Sequence, residues 1–238
     1  MRNPDVLIVQ NIEREGPGLL AGVLRAAGVS FDVVDSQRAH VDELRHSRAV
    51  VMLGGPDSAN DHTEKMSDRL ALARAALAAK IPFLGICLGL QVLVKAAGGR
   101  VVKADRQEVG FVDEHHAPYA LTVTGEGHAD PLLTGLPGRL EVFQLHGETV
   151  ELTPTMQILA TGAQCRNQIV KVAPNAYGIQ PHFELTSEML AVWAEHDPDL
   201  QPIGAAKLMA HFAKIRPTYT HVGERLLRNF LRIAELAD

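Results

Sequence analysis

Cys87 lies in an uncommon local pattern, the segment GICLGLQ at residues 85–91. Glycines stand two positions to either side of it, and glycine favours neither a core strand nor a core helix. A glycine-x-cysteine-x-glycine pattern between a strand and a helix matches a nucleophile elbow, a sharp turn that exposes a reactive side chain. The turn also puts the sulfur at a helix N-terminus, which favours a nucleophilic thiolate. Cys87 is therefore a candidate nucleophile, and a small buried hydrophobic residue is the alternative.

A nucleophile needs a base, and the segment YGIQPHFELT at residues 177–186 contains one. If the segment stays extended, His182 and Glu184 project to the same face, as residues two apart in a strand do. Glu184 could then orient the imidazole and stabilise it once it is protonated. With eleven histidines in the chain, an H-x-E pattern also arises by chance, so the pair gains its weight from following the cysteine.

The segment VVMLGGPDS at residues 50–58 supplies a third part. A tetrahedral intermediate needs fixed N–H donors around its oxyanion. Leu88, directly after the cysteine, can give one N–H, and a glycine-rich loop at a neighbouring strand end can give another. Gly55 is the better candidate in that loop because Pro56 has no N–H. The same loop also suits an ordinary turn at the end of a strand.

The elements that must position these residues alternate along the first half of the chain. Short apolar strands are predicted at 5–10, 30–35, 48–55 and 81–86, and helices at 18–28, 63–80 and 88–97. Such alternation indicates an α/β fold with a parallel sheet covered on both faces.

The second half changes character. Strand-like segments at 119–124, 140–145, 157–162, 168–172 and 176–180 favour antiparallel additions to the same sheet over a separate domain. Beyond His182 the chain is predicted to be helical, at 187–196 and in two more segments. Near the end, an apolar stripe is expected to pack on the chain's own domain, with a partner interface as the alternative: Leu226, Leu227, Phe230, Leu231 and Ala234.

Composition narrows the class of protein. The chain has 238 residues, a hydrophobic fraction of 46% and a formal charge of -5 without a basic cluster, so nucleic acid is not an expected partner. Neither a signal peptide nor a segment long enough to span a membrane is recognised. Two distant cysteines do not indicate a disulfide framework, and Cys165, which has no elbow glycines, is expected to be a packing residue. A cytoplasmic protein is the expectation.

Three segments together resemble the class I glutamine amidotransferase family. The family has an oxyanion loop, a nucleophile elbow and an H-x-E segment in that order, and they are similar to GGP (54–56), GICLGLQVL (85–93) and GIQPHFE (178–184). The segment of the family that receives the amino-acid end of glutamine is similar to VFQLHGETV (142–150). The resemblance covers about residues 1–195. Residues 196–238 are similar to the helical extension of free-standing members, which resemble the amidotransferase part of GMP synthase but lack its synthetase.

The resemblance implies a flavodoxin-like, doubly wound and mostly parallel sheet with antiparallel additions, followed by the helical tail. It implies that Cys87 attacks the side-chain carboxamide of glutamine and forms a glutamyl thioester. His182 would give a proton to the leaving ammonia and then activate water, with Glu184 orienting it. Gly55 and Leu88 would supply the oxyanion N–H groups. The implied chemistry needs neither a metal nor another cofactor.

The substrate-binding residues are also implied by the resemblance. Gln91, one helical turn beyond the cysteine, would bind the amino-acid end of the substrate. The backbone near Gln144, Leu145 and His146 would assist.

The chain departs from the family's usual pattern at three positions near these segments. Pro181 and Phe183 stand where the family more often has Phe and Pro, and Glu148 where it more often has Asp. Pro181 removes a backbone donor just before the base and is expected to affect the end of the strand. These differences bear on substrate fit more than on mechanism.

The ammonia acceptor is left open, since no P-loop that could activate one is found. The chain either docks on a synthetase or hydrolyses γ-glutamyl amides or peptides alone. A catalytically silent docking or regulatory subunit is a further alternative, against which the intact Cys87, His182 and Glu184 argue.

Two other motifs suggest different functions. Gly16, Gly18 and Ala21 imitate a dinucleotide-binding fingerprint, but several residues separate them from the first strand, a poor fit to the tight turn required. DEHH at 113–116 could suggest a metal, but adjacent side chains on an extended segment diverge, and a solvated loop is expected.

Overall fold

The structure is a computed structural model that describes residues 4–35 and 41–237, without the side chains of residues 45 and 46. The strands are β1 (Val6–Val9), β2 (Phe31–Val34), β3 (Ala49–Met52), β4 (Phe83–Ile86), β5 (Arg100–Gly110), β6 (Ala120–Val123), β7 (Arg139–Glu141), β8 (Gln144–Glu151), β9 (Gln157–Thr161), β10 (Ile169–Ala173) and β11 (Ala176–Ile179). The α-helices are α1 (Gly18–Ala26), α2 (Glu64–Ala78), α3 (Leu88–Ala96), α4 (Gly125–Ala129), α5 (Ser187–His196) and α6 (Ala205–Ile233). The first residue of the predicted domain (1–195) and the last residue of the predicted helical extension on that domain (196–238) lie outside the described residues.

Nine strands form one sheet in the order β2-β1-β3-β4-β11-β10-β9-β6-β7. The first five of these are parallel. Strands β1, β3, β4 and β11 are buried along their whole length, which explains their continuous apolar sequences. Apolar clusters cover the sheet on both faces. The predicted α/β fold with a mostly parallel sheet is confirmed.

The other four strands of the large sheet are antiparallel, as the second half of the sequence predicted. One prediction here is wrong. Residues 140–145 are not a single strand, because β7 ends at Glu141 and β8 begins at Gln144. Strand β8 instead pairs with β5 in a separate two-stranded sheet. Strand β5 was not predicted because its sequence is rich in charge and half of its residues are exposed.

The prediction of two segments after residue 196 is also wrong. Helix α6 continues for 29 residues even though it contains Pro217. Proline removes one intrahelical hydrogen bond, and large buried side chains hold the helix on both sides of it, at Phe212 and Tyr219. The apolar stripe from Leu226 to Ala234 is buried in the same cluster as the residues of β1 and α1. Among the described residues, no helix is long and apolar enough to cross a membrane.

Candidate active site

Cys87 occupies the turn between β4 and α3, at the carboxyl edge of the parallel strands. Its backbone has φ 51° and ψ -106°, a conformation that residues other than glycine rarely adopt. Close packing explains why both flanking residues are glycines. A β-carbon on Gly85 would collide with the backbone of Gly89, and one on Gly89 would collide with the carbonyl of Met52. The sequence therefore permits a turn tight enough to project Cys87 at the end of the sheet.

His182 contacts both the cysteine and the glutamate. Its Nδ1 lies 2.8 Å from Oε1 of Glu184, and the thiol of Cys87 is close enough to contribute to the raised pKa of the ring. Because Nδ1 is engaged by Glu184, Nε2 is the ring nitrogen left for other partners. The extended conformation expected of this segment is wrong, since β11 ends at Ile179 and residues 183–184 form a turn. The turn nevertheless brings the two side chains together.

Electrostatics in this group favours a protonated imidazole. Both His182 and Glu184 are 1% exposed. Burial alone lowers the pKa of His182, but the charge of Glu184 and the hydrogen bonds to Cys87 and Glu184 outweigh it. The pKa of His182 is therefore held well above its usual value of 6.5. The ring packs edge-on against Trp193, with centroids 5.0 Å apart, which fixes its orientation.

Two buried polar residues, Asn11 and Arg69, hold the backbone just before the glycine loop (54–56) that follows β3. Asn11 donates to the carbonyl of Leu53 over 2.8 Å, and Arg69 donates to the Asn11 side chain over 2.8 Å. A β-carbon on Gly55 would lie 3.3 Å from the Leu88 side chain, so the loop adjoins the start of α3. Leu88 is the first residue of that helix, and its N–H has no acceptor within the helix.

A cleft of about 380 Å³ opens over the thiol. Of the nine candidate site residues predicted from the sequence, six line it: Gly55, Cys87, Gln91, Leu145, His146 and His182. Glu184 lies behind the imidazole. Gln144 does not line the cleft, because its side chain turns away and donates to Gln168 over 2.9 Å. A larger groove of about 780 Å³ lies between α1 and α6 and contains none of these residues.

The residues expected at the amino-acid end of a substrate form a connected group. The Gln91 side chain lies 3.5 Å from the carbonyl of Glu148, and His146 Nδ1 lies 3.0 Å from the same carbonyl. On its other side, His146 Nε2 lies 2.9 Å from Glu108. The carbonyl of Leu145 lies 3.7 Å from the Cys87 sulfur. Strand β8 is thereby held against the thiol.

Two residues close to the thiol or the imidazole were not found from the sequence. Glu15 lines the cleft beside His182 and is 5% exposed. Gln180 Nε2 lies 3.7 Å from the Cys87 sulfur. Glu15 follows β1 at the carboxyl edge of the sheet, where sites of α/β proteins form, and that position was the available signal. Gln180 directly follows β11, whose end lies beside the turn that contains Cys87.

The glycines of the dinucleotide-like motif have another role. A β-carbon on Gly18, which has φ 46°, would collide with the carbonyl of Glu184. The N–H of Leu19 donates to that same carbonyl over 2.9 Å. The N-terminus of α1 is thus occupied by the backbone of Glu184, and a pyrophosphate has no place there.

The segment DEHH also has a structural role. Asp113 accepts hydrogen bonds from the N–H groups of His115 and Ala117 and so closes its own loop. Glu114 pairs with Arg106. His115 lies 3.5 Å from Glu114, but residues 113–116 do not form a group of three or more metal ligands.

A second group of cysteine, histidine and glutamate lies behind β8. Ligand atoms of Glu108, His146 and Cys165 lie within 4.8 Å of one another, and all three residues are buried. Each atom already has a protein partner: Cys165 contacts Thr149 over 3.1 Å, while Glu108 binds His146 and Gln168. Burial raises the pKa of Cys165, and its side chain does not line the cleft. This group is a hydrogen-bonded support for β8.

Pro181 leaves the backbone around the base intact. The N–H groups on either side of it still have acceptors, since Gln180 donates to Gln168 and His182 donates to Phe143. Strand β11 has already ended at Ile179. Phe183 is buried and stacks with Tyr219. Both departures from the family's pattern are accommodated in the packing beneath the site.

A model of the family described as "Glutamine amidotransferase class-I" matches residues 18–191, which contain all three elements of the site. The chain belongs to the class I glutamine amidotransferase family. It is 30% identical over 186 residues to the glutamine amidotransferase-like protein YfeJ of Salmonella typhimurium, covering 75% of each chain. It is 32% identical over 164 residues to one subunit of the glutamine-hydrolyzing GMP synthase of Natronomonas pharaonis, covering 68% of this chain and 78% of that one.

Solved structures of glutamine amidotransferases share the whole architecture. The crystal structure of a glutamine amidotransferase from Thermotoga maritima aligns with a TM-score of 0.83 at 26% identity, covering 99% of this chain and 100% of that one. The similarity includes the C-terminal helix as well as the sheet.

Proposed function

We propose that this class I glutamine amidotransferase hydrolyses the side-chain amide of glutamine through a thioester on Cys87 and releases glutamate and ammonia. The observation that carries the proposal is that Cys87 and His182 line the same open cleft, with the imidazole hydrogen-bonded to the buried Glu184 behind it. The thiol, imidazole and carboxylate have the roles of nucleophile, base and orienting group.

In the first half of the reaction, the Cys87 sulfur attacks the δ-carbon of glutamine and the carbonyl π-electrons move to oxygen. The N–H groups of Gly55 and Leu88 receive that oxyanion. His182 then gives its Nε2 proton to the amide nitrogen, the C–N bond breaks, and ammonia leaves. Glu184 stabilises the imidazolium before this transfer. The high pKa of His182 supplies the proton at neutral pH.

In the second half, water takes the position that ammonia left. Neutral His182 accepts a proton from this water, whose oxygen attacks the thioester carbonyl. The second tetrahedral intermediate collapses, the C–S bond breaks, and glutamate is released with the thiolate restored.

The amino-acid end of glutamine is assigned to the side of the cleft formed by α3 and β8. Gln91 would bind it together with backbone groups of Leu145 and His146. Gln144 would contribute through its backbone alone, because its side chain is engaged with Gln168.

The ammonia is proposed to serve a partner synthetase. One similar protein, from Natronomonas pharaonis, is named as part of a glutamine-hydrolyzing synthase. A stand-alone γ-glutamyl hydrolase uses the same groups, and it remains the second candidate because the cleft is open above the thiol. A catalytically silent docking protein is the third, and the intact contact among Cys87, His182 and Glu184 weighs against it.

One set of assays separates the three candidates. Release of ammonia from glutamine and of amine from γ-glutamyl peptides is measured for the purified chain, alone and with candidate synthetases. Cys87→Ala tests the nucleophile, and Cys165→Ala is the matched control, since it removes the other buried cysteine. Glutaminase activity that is stimulated by a synthetase and lost only in Cys87→Ala supports the proposal. Preference for γ-glutamyl peptides favours the hydrolase, and equal activity in wild type and Cys87→Ala refutes an enzymatic role.

A further inference from the structure

Glu15 is the least satisfied charged group on the wall of the cleft. Its side chain lines the cleft, although the residue is only 5% exposed. Its carboxyl group receives no hydrogen bond from any described residue, and burial raises the pKa of Glu15. A carboxylate buried in this way lowers the stability of the folded protein unless a hydrogen-bond donor contacts it.

Other carboxyl groups on the same wall do have protein partners. Asp57 pairs with Lys65, Glu148 with Ser58, Asp197 with Arg14 and Asp199 with Gln107. The unpartnered state of Glu15 is therefore particular to its position and does not reflect a generally acidic surface. Local rules of this kind are broken mainly at functional sites.

Within the cleft, Glu15 lies close to the imidazole of His182. A β-carbon on Gly54 would lie 2.5 Å from Oε2 of Glu15, 2.8 Å from Cε1 of His182 and 3.5 Å from Cβ of Cys87. The carboxylate, the imidazole and the cysteine thus pack against the same glycine, and all three residues line the cleft. Cε1 is bonded to Nε2, the atom that delivers the proton to the leaving group. Gln91 and Glu148, by contrast, contact each other next to β8.

We infer that Glu15 is a catalytic residue that accepts a hydrogen bond from the leaving nitrogen of the substrate amide. This inference rests on the proposed function. The amide nitrogen carries N–H donors in the substrate and gains positive character as it takes the proton from His182. A carboxylate acceptor beside it favours that change and favours release of ammonia. Glu15 forms no covalent bond and exchanges no proton in this role.

The inference also gives a chemical selectivity. An ester has oxygen in place of the leaving nitrogen and offers no N–H to Glu15. Selectivity for amides over esters of the same γ-glutamyl group is therefore built into the cleft. A residue that only positioned His182 would affect amides and esters alike.

The test compares two substrates that give the same thioester, glutamine and the γ-methyl ester of glutamate. The value of kcat/KM is measured for each, because it covers only the steps up to release of the first product. In Glu15→Gln, we expect kcat/KM for glutamine to fall about 10- to 100-fold, as for the loss of a hydrogen bond to a charged group. For the ester it should change less than about threefold, or rise.

Controls keep the result interpretable. Glu13→Gln changes an exposed glutamate two residues away and should leave both values unaltered. The thermal midpoint of Glu15→Gln should be at least that of wild type, because the carboxyl group has no protein hydrogen bond to lose. Equal losses for both substrates, or no loss for glutamine, would overturn the inference while leaving the proposed function intact. If wild type hydrolyses neither substrate, the proposed function fails and the inference falls with it.

Discussion

The hydroxyl of Tyr219, on the long C-terminal helix α6, donates a hydrogen bond to the backbone carbonyl of His182. Tyr219 is 2% exposed, and burial together with the charge of Glu184 raises its pKa well above 10.0, so the hydroxyl stays a donor. The helix that follows the sheet therefore contacts the backbone of His182 directly.

Tyr219→Phe should weaken both stability and catalysis. The substitution leaves the His182 carbonyl without this donor, which costs about 1–3 kcal/mol in the free energy of unfolding measured with urea. We also expect kcat for glutamine to fall several-fold, because the base is held less firmly. Tyr177→Phe is the matched control, since that buried hydroxyl contacts the carbonyl of Pro174. Tyr177→Phe should reduce stability without changing kcat. If kcat is also unchanged in Tyr219→Phe, the contact between Tyr219 and His182 contributes to stability alone.

The glycines around Cys87 are not expected to tolerate a larger residue, because no space is left for a β-carbon. In Gly89→Ala, the new methyl group would meet the carbonyl of Met52, so β3 and α3 must move apart. We expect a loss of about 1–3 kcal/mol in unfolding free energy, with a loss of glutaminase activity. Gly22→Ala provides the contrast, because Gly22 lies within α1 and a β-carbon there meets nothing within 4 Å. That variant should gain about 0.5–1 kcal/mol, and similar effects at the two positions would refute the packing argument.

The parts of the fold that the sequence predicts are those with a strong local signal. Strands β1, β3 and β4 are continuous apolar segments, and Gly85 with Gly89 marks the turn that follows β4. Strand β5 lacks such a signal because about half of its residues are exposed and its pairing with β8 is a long-range contact. Two helical segments were predicted after residue 196, but α6 continues through Pro217 because tertiary packing outweighs the lost hydrogen bond.

The candidate site shows the same division. Cys87 and the pair of His182 and Glu184 were found because their spacing is fixed over a few residues. Glu15 and Tyr219 were not found, since each reaches His182 only through folding. Glu15 is in a loop after the first strand, and Tyr219 lies 37 positions beyond the base. The position of Glu15 after β1 indicates the edge of the sheet at which it lies, but a single sequence carries no local mark of its proximity to His182 or of the contact of Tyr219.

Glu184→Gln should inactivate the protein without unfolding it. Glutamine has nearly the same shape, but a neutral amide cannot stabilise the imidazolium of His182 and can hold the wrong tautomer. A loss in kcat on the order of 10⁴-fold is expected from the equivalent change in serine proteases. Steady-state ammonia release measures it, and circular dichroism checks the fold. Glu195→Gln, an exposed position on α5, should retain wild-type kcat. A loss below about tenfold in Glu184→Gln would remove Glu184 from the proposed mechanism.

The raised pKa of His182 predicts how stability depends on pH. In the unfolded chain the imidazole titrates near 6.5, whereas in the folded protein it keeps its proton to well above that value. Between the two values the folded state binds one more proton than the unfolded state, so stability falls as pH rises, by at most about 1.4 kcal/mol per pH unit. The contribution of His182 is therefore fully present below about pH 6.5 and is lost as pH rises through the folded pKa.

The measurement is the difference in unfolding free energy between wild type and His182→Gln, from urea titrations at several pH values between 6 and 10. We expect this difference to shrink as pH rises. The same comparison in a Glu184→Gln background is the control, because it removes the charge that contributes most to raising the pKa of His182. The slope should be much flatter there. A difference that grows with pH would mean that His182 is buried neutral, and it could then not deliver the first proton to the leaving nitrogen.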